Sequence, residues 1–478
     1  MLNDLHTAAI LIVHYVLTTV VIWRVLLRDV IAPPVRLAWI MVVALVPFAG
    51  VTAYLLFGEV RLRRADRVRA REVDRQLRRT LDRGATFAAV PEQAIPAFAM
   101  GEATSGLPPV AGNRATLLPE DDSAIDDMVQ RIDAATATVH ALFYIWLPDG
   151  SGTRMAEAAM RAARRGVTVR VLVDDVGSRR LIRSPLWPRM KEAGVHLAIA
   201  LPVGNPLIEA LFQRIDLRNH RKIVVVDGAV TWAGSRNCAD AAFAIKPRFA
   251  PWVDVLMRVE GPVVRQFQSV FLRDWMLHGH EDLSSLLDPA LPAVEGGFTG
   301  QVVASGPDQT ASGMSETLSA LLYSARRRVT ITTPYFLPDA ALVEAICACA
   351  RRGVITTMIL PERNDSRIVE AASEGLYSTL LRAGVQMHLF RPGLLHAKIM
   401  TVDGNLAMIG SANLDRRSFD LNYEVNLLLH SPEVTAELDA RQDSYIARSR
   451  PATLGMVWSW SVLRRIRNNA VALAGPLL

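Results

Sequence analysis

The sequence predicts an α/β protein. Its body is a duplicated domain, two mostly parallel sheets flanked by helices and related by a pseudo-twofold axis, preceded by a two-helix transmembrane hairpin. Three observations predict this. Two apolar stretches lie within the first 60 positions, a strand–helix–strand pattern occurs twice, and one short polar motif recurs in the same register in each copy.

The anchor comes first along the chain. Thr7–Leu27 is almost entirely apolar up to Arg24, and Leu37–Gly58 carries no charge. Each is long enough to cross the ~30 Å of a bilayer's hydrocarbon. A turn with Pro33, Pro34 and Arg36 separates them, and Pro47 and Gly50 inside the second are tolerated in lipid. Trp23 and Trp39 are expected near one interface. A cleaved signal peptide fits poorly, because no basic start and no small-residue cleavage site precede the turn. Residues 1–60 are therefore expected to be a hairpin of two spans.

Residues 61–79 follow with nine arginines against Asp66, Glu72 and Asp74. That excess equals the chain's whole net charge of +6, so the basicity is one local stripe and not a general nucleic-acid surface. The positive-inside rule puts everything after residue 60 in the cytoplasm, with the N-terminus on the same side. It also sets the stripe against anionic headgroups. The expected arrangement is a multi-pass membrane anchor with the rest of the chain in the cytoplasm.

Three cysteines, Cys238, Cys347 and Cys349, have no framework spacing. They read as small buried residues, and no structural disulfide is expected. No cysteine–histidine cluster has zinc spacing, so no metal is expected.

Residues 61–110 read as the basic juxtamembrane segment and a Gly/Ala/Pro-rich linker. The first repeat is expected over 111–295 and the second over 296–450. The first copy has an apolar run Val139–Trp146, then Leu147-Pro148-Asp149, a helix ending Arg164-Arg165-Gly166, and a strand Val167–Val173. The second has Val329–Phe336, Leu337-Pro338-Asp339, a helix ending Arg351-Arg352-Gly353, and Val354–Leu360. Glycine just past an Arg-Arg pair stops a helix before a strand, which makes each a βαβ unit.

The closest correspondence follows. His220-Arg221-Lys222 runs to Asp227 and then Gly234-Ser235-Arg236-Asn237. His396-Ala397-Lys398 runs to Asp403 and then Gly410-Ser411-Ala412-Asn413. Each glycine lies 14 residues after its histidine and each asparagine 17. Only four lysines occur in the chain, and Lys222 and Lys398 are two of them. A compact ammonium is wanted at those positions where arginine serves elsewhere.

On a strand, residues i and i+2 share a face, so His220 points with Lys222 and His396 with Lys398. A pseudo-twofold duplication brings both pairs to one cleft, with Ser235, Asn237, Ser411 and Asn413 in support. Such a site binds a phosphate oxyanion and offers both a nucleophile and an acid. One imidazole must be neutral to attack and the other protonated to release the leaving alcohol. Each needs a carboxylate to fix its tautomer. The candidates are Asp254 and Glu424, 34 and 28 residues after the histidine of the same copy. Asp227 and Asp403 either join the catalytic group or hold the strand-end turn and the lysine. The two ammonium groups would repel a divalent ion, which disfavours a metal centre.

At these residues the sequence resembles the phospholipase D superfamily, whose hallmark is a duplicated H-x-K-x4-D followed by G-S-x-N. Within it the chain is similar to bacterial cardiolipin synthases. The two-span N-terminus, Val303–Asp308, Thr333–Asp339, Asn413–Ser418 and Asn422-Tyr423-Glu424 carry that narrower resemblance. The resemblance implies a phosphatidyl-histidine intermediate without metal or other cofactor, His220 as nucleophile and His396 as general acid. It implies phospholipid substrates, with two phosphatidylglycerols joined and glycerol released. Asn237-Cys238-Ala239 against Asn413-Leu414-Asp415 departs from strict symmetry.

Hydrolysis of the same intermediate to phosphatidic acid is the alternative reaction. A nuclease is disfavoured by the neutral catalytic part, and a non-catalytic scaffold by two intact motifs. The partners expected are the membrane and phospholipids, not nucleic acid, and no pattern in the chain specifies an oligomeric state. Residues 451–478, with Trp458, Trp460 and an Arg-rich apolar stretch, read either as an interfacial helix or as a packed terminal one.

Overall fold

The computed structural model describes residues 2–473 apart from 30, 47, 82–87, 205–213, 215, 244, 280, 289–292 and 311. It is a mixed α/β structure with a helical N-terminal unit. The first helix, α1 (Leu2–Leu26), contains the one described helix long and apolar enough to cross a membrane, His6–Leu26. The second apolar segment departs from the single span expected of it. It forms α2 (Pro33–Leu45) and α3 (Ala49–Phe57), which fold back on each other.

Four contacts establish the fold-back. Trp39 meets Tyr54 edge-on at 5.4 Å, so mid-α2 faces mid-α3. Gly50 lies so close to α2 that an added Cβ would stand 2.3 Å from the Val42 carbonyl oxygen. Phe48, at the tip, packs on His14 of α1 at 4.9 Å. Glu59, just past α3, accepts hydrogen bonds from Arg24 (2.6 and 2.9 Å) and Arg28 (2.8 Å) at the end of α1. Both ends of the second segment therefore lie on the Arg24 side. His14 is ten residues from Arg24, so the tip reaches about 15 Å along α1, roughly half a bilayer's hydrocarbon. The physical reason is local. Phe48 takes a left-handed backbone (φ 54°), which ends one helix direction and starts another. Pro47 itself lies outside the described residues. Trp39, expected at the interface, is buried in this unit, whereas Trp23 is exposed.

The arginine-rich α4 (Arg64–Leu81) packs onto the helix Val263–Gly279 through Ala70, Val73 and Leu77. Arg273 of that helix bonds Asp74 at 2.5 Å, and Arg265 donates to the carbonyls of Thr80 and Leu81. The stretch expected as a linker contains a further packed helix, Ile95–Ser105. Its small residues, read as breakers, allow close approach instead: Gly101 faces the Gln301 side chain with no room for a Cβ.

The two repeats share one continuous sheet of sixteen strands among the described residues. Strands Val110–Leu117 and Phe298–Ser305 pair antiparallel at the seam. The expected parallel character holds only on the outer flanks. There Thr138–Phe143, Thr168–Asp174 and His196–Ala200 run parallel, as do Arg328–Thr332, Ile355–Pro361 and Gln386–Phe390. Toward the seam the neighbours along the main path are antiparallel, because tight turns at Asp227-Gly228 and Asp403-Gly404 return each motif strand as a hairpin, and the short strand Arg218–Asn219, off that path, pairs parallel with the start of Asn422–His430. The inward strands are apolar on both faces and covered by helices, so each repeat has its own core, and the helix Val263–Gly279 lies under the join.

Candidate active site

Both motif histidines stand just past a two-residue strand, Arg218–Asn219 or Leu394–Leu395, and ahead of the motif strand expected to carry them, and backbone pairing across the repeats puts them there. His220 N–H donates to the Tyr423 carbonyl (2.9 Å), and His396 N–H donates to the Val253 carbonyl (2.7 Å). Each histidine is thus threaded against a strand of the other repeat. The carboxylates follow the same rule. Glu424 accepts from Nδ1 of His220 at 2.9 Å, and Asp254 accepts from Nδ1 of His396 at 2.6 Å. Each carboxylate serves the histidine of the opposite copy and not of its own, because Trp252–Val253, just before Asp254, pairs with Leu394–Leu395, and Asn422–Tyr423, just before Glu424, pairs with Arg218–Asn219. An ionised carboxylate can only accept, so each Nδ1 carries the proton and each Nε2 is left as the free ring nitrogen.

The serines complete these two relays. Ser235 Oγ donates to Asp254 at 2.6 Å, and Ser411 Oγ donates to Glu424 at 2.5 Å. Each also accepts a backbone N–H, from Val255 and Val425. The glycine before each serine is required by crowding: a Cβ at Gly234 would stand 2.1 Å from the Val255 oxygen, and one at Gly410 2.5 Å from the Val425 oxygen. Lys222 and Lys398 each donate to the carbonyl of their own histidine at 2.6 Å. That single bond leaves further N–H groups of each ammonium for a ligand. The Oδ1 atoms of Asn237 and Asn413 are both buried without a partner, two polar groups the protein itself does not use.

Asp227 and Asp403 lie at the other ends of the motif strands. Asp227 accepts the N–H groups of Thr136, Ala137 and Thr138 at 2.8 Å each. Asp403 does the same for Arg326, Arg327 and Arg328 at 2.7–2.9 Å and also accepts from Gln93. Neither bonds a motif histidine or lysine. Both hold the start of the neighbouring strand, and those N–H groups outweigh partial burial to keep the carboxyls below their ordinary range.

Burial dominates the electrostatics. It drives His220 down to about 4, with Lys222 and Lys398 adding to the effect and Glu424 opposing it. His396 is lowered by burial and Lys398, against Asp254. Burial likewise brings Lys222 down to about 8 and Lys398 to about 7, the nearby carboxylates opposing. Asp254 resists its own burial and falls to about 2 because His396, Lys398 and Ser235 hold its charge. Burial of this kind favours neutral imidazoles and weakly held ammonium protons, and an entering anion reverses both preferences. No group of three or more metal-binding side chains occurs among the described residues.

Several neighbours outside the duplicated motif join the site in three dimensions, Tyr335 and Asp415 among them from the segments Thr333–Asp339 and Asn413–Ser418. Tyr144 packs on His220 at 4.8 Å, while Trp252 and Tyr335 flank His396 at 4.6 and 6.5 Å. Asp415, raised by burial to about 6, stands where the first copy has Ala239. Arg221, fully buried, ties Asp274 (2.6 Å) to the carbonyls of Glu424 and Ser305, where the second copy has Ala397. The one sequence signal for the two tyrosines is that each lies in the apolar run ahead of a Leu-Pro-Asp, past the strands Thr138–Phe143 and Arg328–Thr332.

The chain is similar to known proteins along most of its length. The family model described as cardiolipin synthase, PLD-like domain matches residues 128–275 and 318–445. One described as phospholipase D-nuclease N-terminal matches residues 16–59. Cardiolipin synthase A of Edwardsiella ictaluri (strain 93-146) is 37% identical over 448 residues, 91% of each chain. Cardiolipin synthase A of Yersinia pseudotuberculosis serotype O:3 (strain YPIII) is 37% identical over 460 residues, 94% of this chain and 93% of the relative. Among solved structures, phosphatidylserine synthase of Haemophilus influenzae Rd KW20 is similar in fold, with a TM-score of 0.60 at 14% identity, covering 80% of this chain and 100% of that one.

Proposed function

The chain belongs to the cardiolipin synthase family of phospholipase D-like proteins, and on that premise we propose that it joins two phosphatidylglycerols into cardiolipin with release of glycerol. The observation that carries the mechanism is the crossed pairing His220–Glu424 and His396–Asp254, which draws both imidazoles to one seam.

In the first step Nε2 of His220 attacks phosphorus, forming a P–N bond as the P–O bond to the leaving glycerol breaks. His396, protonated in the presence of the phosphate anion, gives its Nε2 proton to that glycerol oxygen. In the second step a hydroxyl of another phosphatidylglycerol attacks phosphorus, His396 takes its proton, and the P–N bond breaks. Lys222, Lys398 and the amides of Asn237 and Asn413 hold the non-bridging oxygens. Glu424 and Asp254, steadied by Ser411 and Ser235, fix the tautomers. Asp227 and Asp403 act through the strand ends. The symmetry of the two relays leaves the division of labour to their surroundings, and family resemblance favours His220 as nucleophile.

The same premise supports a location in the bacterial inner membrane, with α1 across the bilayer. The Arg-rich α4 supports a cytoplasmic catalytic domain. The fold-back of α2 and α3 then puts the N-terminus on the opposite side from that domain. The helix Val462–Leu473 supports a second contact with the same surface: Arg464 and Asn468 clamp it to Glu374, while Val462, Leu463 and Ile466 are exposed.

The test is turnover by purified protein of phosphatidylglycerol as sole lipid, followed by mass spectrometry beside His220→Ala and His396→Ala. Cardiolipin plus glycerol, lost in both variants, is the expected result. Phosphatidic acid as the main product moves the reaction to hydrolysis. Unchanged turnover in either variant overturns the two-histidine mechanism.

A further inference from the structure

The two relays are alike, but their surroundings are not. His396 belongs to the second repeat, and the first repeat supplies an apolar wall beside it. Trp252 lies 4.6 Å from the His396 ring, and Phe243 stacks on Trp252 at 3.9 Å. These two rings join Leu147, Ala239 and Leu394 in a small apolar cluster of their own, and Leu394 stands two residues before His396. The matching place in the other relay is taken by Asn422, two residues before Glu424 as Trp252 is before Asp254. Its amide donates to Glu424 at 3.2 Å. One relay thus has an indole where the other has an amide.

A second ring beside His396, Tyr335, comes from its own repeat and stands edge-on at 6.5 Å. Its hydroxyl donates to Oδ1 of Asp365 at 2.7 Å, and Lys246 donates to Oδ2 of the same carboxylate at 2.5 Å. Asn364 donates to the Pro334 carbonyl at 2.8 Å, so the residues just before Asp365 and Tyr335 are tied as well. Burial, with Asp365 adding to it, pushes the Tyr335 hydroxyl well above its ordinary range, so it stays a donor and does not serve as an acid or a base. Lys246 lies in the first repeat and Asp365 in the second. The Lys246 N–H donates to the Phe243 carbonyl at 2.9 Å, and the Trp252 N–H to the Ala241 carbonyl at 2.8 Å. The ion pair therefore clips the backbone that carries Phe243 and Trp252 to the carboxylate that holds Tyr335.

The chemistry gives this clip a use. In the second step the attacking oxygen meets phosphorus opposite the P–N bond, beside the histidine that takes its proton. Water in that place forms a P–O bond as the P–N bond breaks, His396 takes its proton, and phosphatidic acid leaves. An apolar aromatic wall excludes loose water from that side. We propose that Lys246 and Asp365 are positioning residues that hold Trp252 and Tyr335 against His396, shield it from water, and so commit the phosphatidyl-histidine to transfer. The inference rests on the lipid-transfer reading of the site and adds what favours transfer over hydrolysis.

The test uses the full-length protein in micelles containing phosphatidylglycerol, with Lys246→Met, Asp365→Asn and Lys246→Arg beside the wild type. The Lys246 side chain is 42% exposed, and loss of an ion pair at such a position costs little stability, so these Lys246 variants should fold. Mass spectrometry reads the ratio of phosphatidic acid to cardiolipin, which does not depend on how much of the protein is folded. The ratio is expected to rise roughly fivefold or more in Lys246→Met and Asp365→Asn and to return toward the wild-type value in Lys246→Arg. Lower turnover at an unchanged ratio overturns the proposal and leaves the pair a structural role. A second readout is labelling by diethyl pyrocarbonate, which acylates neutral imidazoles. His396 should label faster in Lys246→Met, with His220 unchanged. An equal rise at both histidines, or at neither, also overturns it. If the wild type makes phosphatidic acid alone, the transfer reading falls, and the labelling of His396 decides the shield by itself.

Discussion

Glu424 accepts a hydrogen bond from Nδ1 of His220 at 2.9 Å across 204 positions of sequence. Asp254 makes the reciprocal bond to His396, so each repeat holds half of each relay. Removing one carboxylate should therefore disable the other repeat's histidine. Glu424→Gln and Asp254→Asn are each expected to cut kcat by roughly 10–100-fold, the usual cost of losing a group that orients an imidazole. A lipid substrate with a nitrophenol leaving group separates them, because it needs no proton. Intermediate formation should recover in Asp254→Asn and not in Glu424→Gln. Recovery in both, or only in the latter, reverses the assignment of nucleophile and acid.

Asp227 and Asp403 should matter to stability more than to chemistry. Each accepts three backbone N–H groups far from the cleft face. Asp227→Ala leaves those donors unpaired, an expected loss of about 1–3 kcal/mol. Thermal melting should register that loss while kcat per folded molecule stays within about threefold. A large fall in kcat with an unchanged melt contradicts this role.

Lipid affinity should weaken as pH rises past neutrality. Lys398 and Lys222 are brought to about 7 and 8 by burial, so their ammonium charges fade between pH 7 and 9. KM for an anionic lipid should climb across that window. Stability should move the other way. An unfolded lysine keeps its proton to about pH 10.4, so the unfolded state binds more protons there and these two groups favour folding as pH increases. Parallel pH series of KM and melting temperature check both signs.

The fold-back of α2 and α3 predicts opposite sidedness for the two termini of the anchor. Cys238, Cys347 and Cys349 are all buried, so the background for thiol labelling is low. A cysteine added before Met1 and one at the exposed Glu192 should react with a membrane-impermeant maleimide from opposite faces of the bilayer. Labelling of both from one face restores a two-span hairpin.

What the sequence reveals and withholds divides along physical lines. The two-residue spacing makes the association of His220 with Lys222 and of His396 with Lys398 legible, although both histidines and Lys398 precede the motif strands Lys222–Val226 and Ile399–Val402 and each lysine is tied to its histidine through the backbone carbonyl. The exchange of Asp254 and Glu424 is not, since local periodicity carries no information about which distant strand lies alongside. The sheets read as parallel from the βαβ units, and the antiparallel centre stays hidden because it depends on turns at Asp227-Gly228 and Asp403-Gly404. Hydropathy identifies Leu37–Gly58 as a lipid-phase segment but has no direction. The same apolar run serves for crossing or returning, and only Arg24, Arg28 and Glu59 meeting in space distinguish them.

The fold-back has a mechanical consequence. On the proposed placement of α1 across the bilayer, three helices would occupy the leaflet beneath the catalytic domain and one the other leaflet. A helix of 10–12 Å diameter takes up roughly 100 Å² of lateral area, so the near leaflet is expanded by about 200 Å² relative to the far one. The anchor is a wedge, and its insertion energy depends on the difference in lateral pressure between the two leaflets. The protein should concentrate where its own leaflet is stretched, on the convex side of bent membrane.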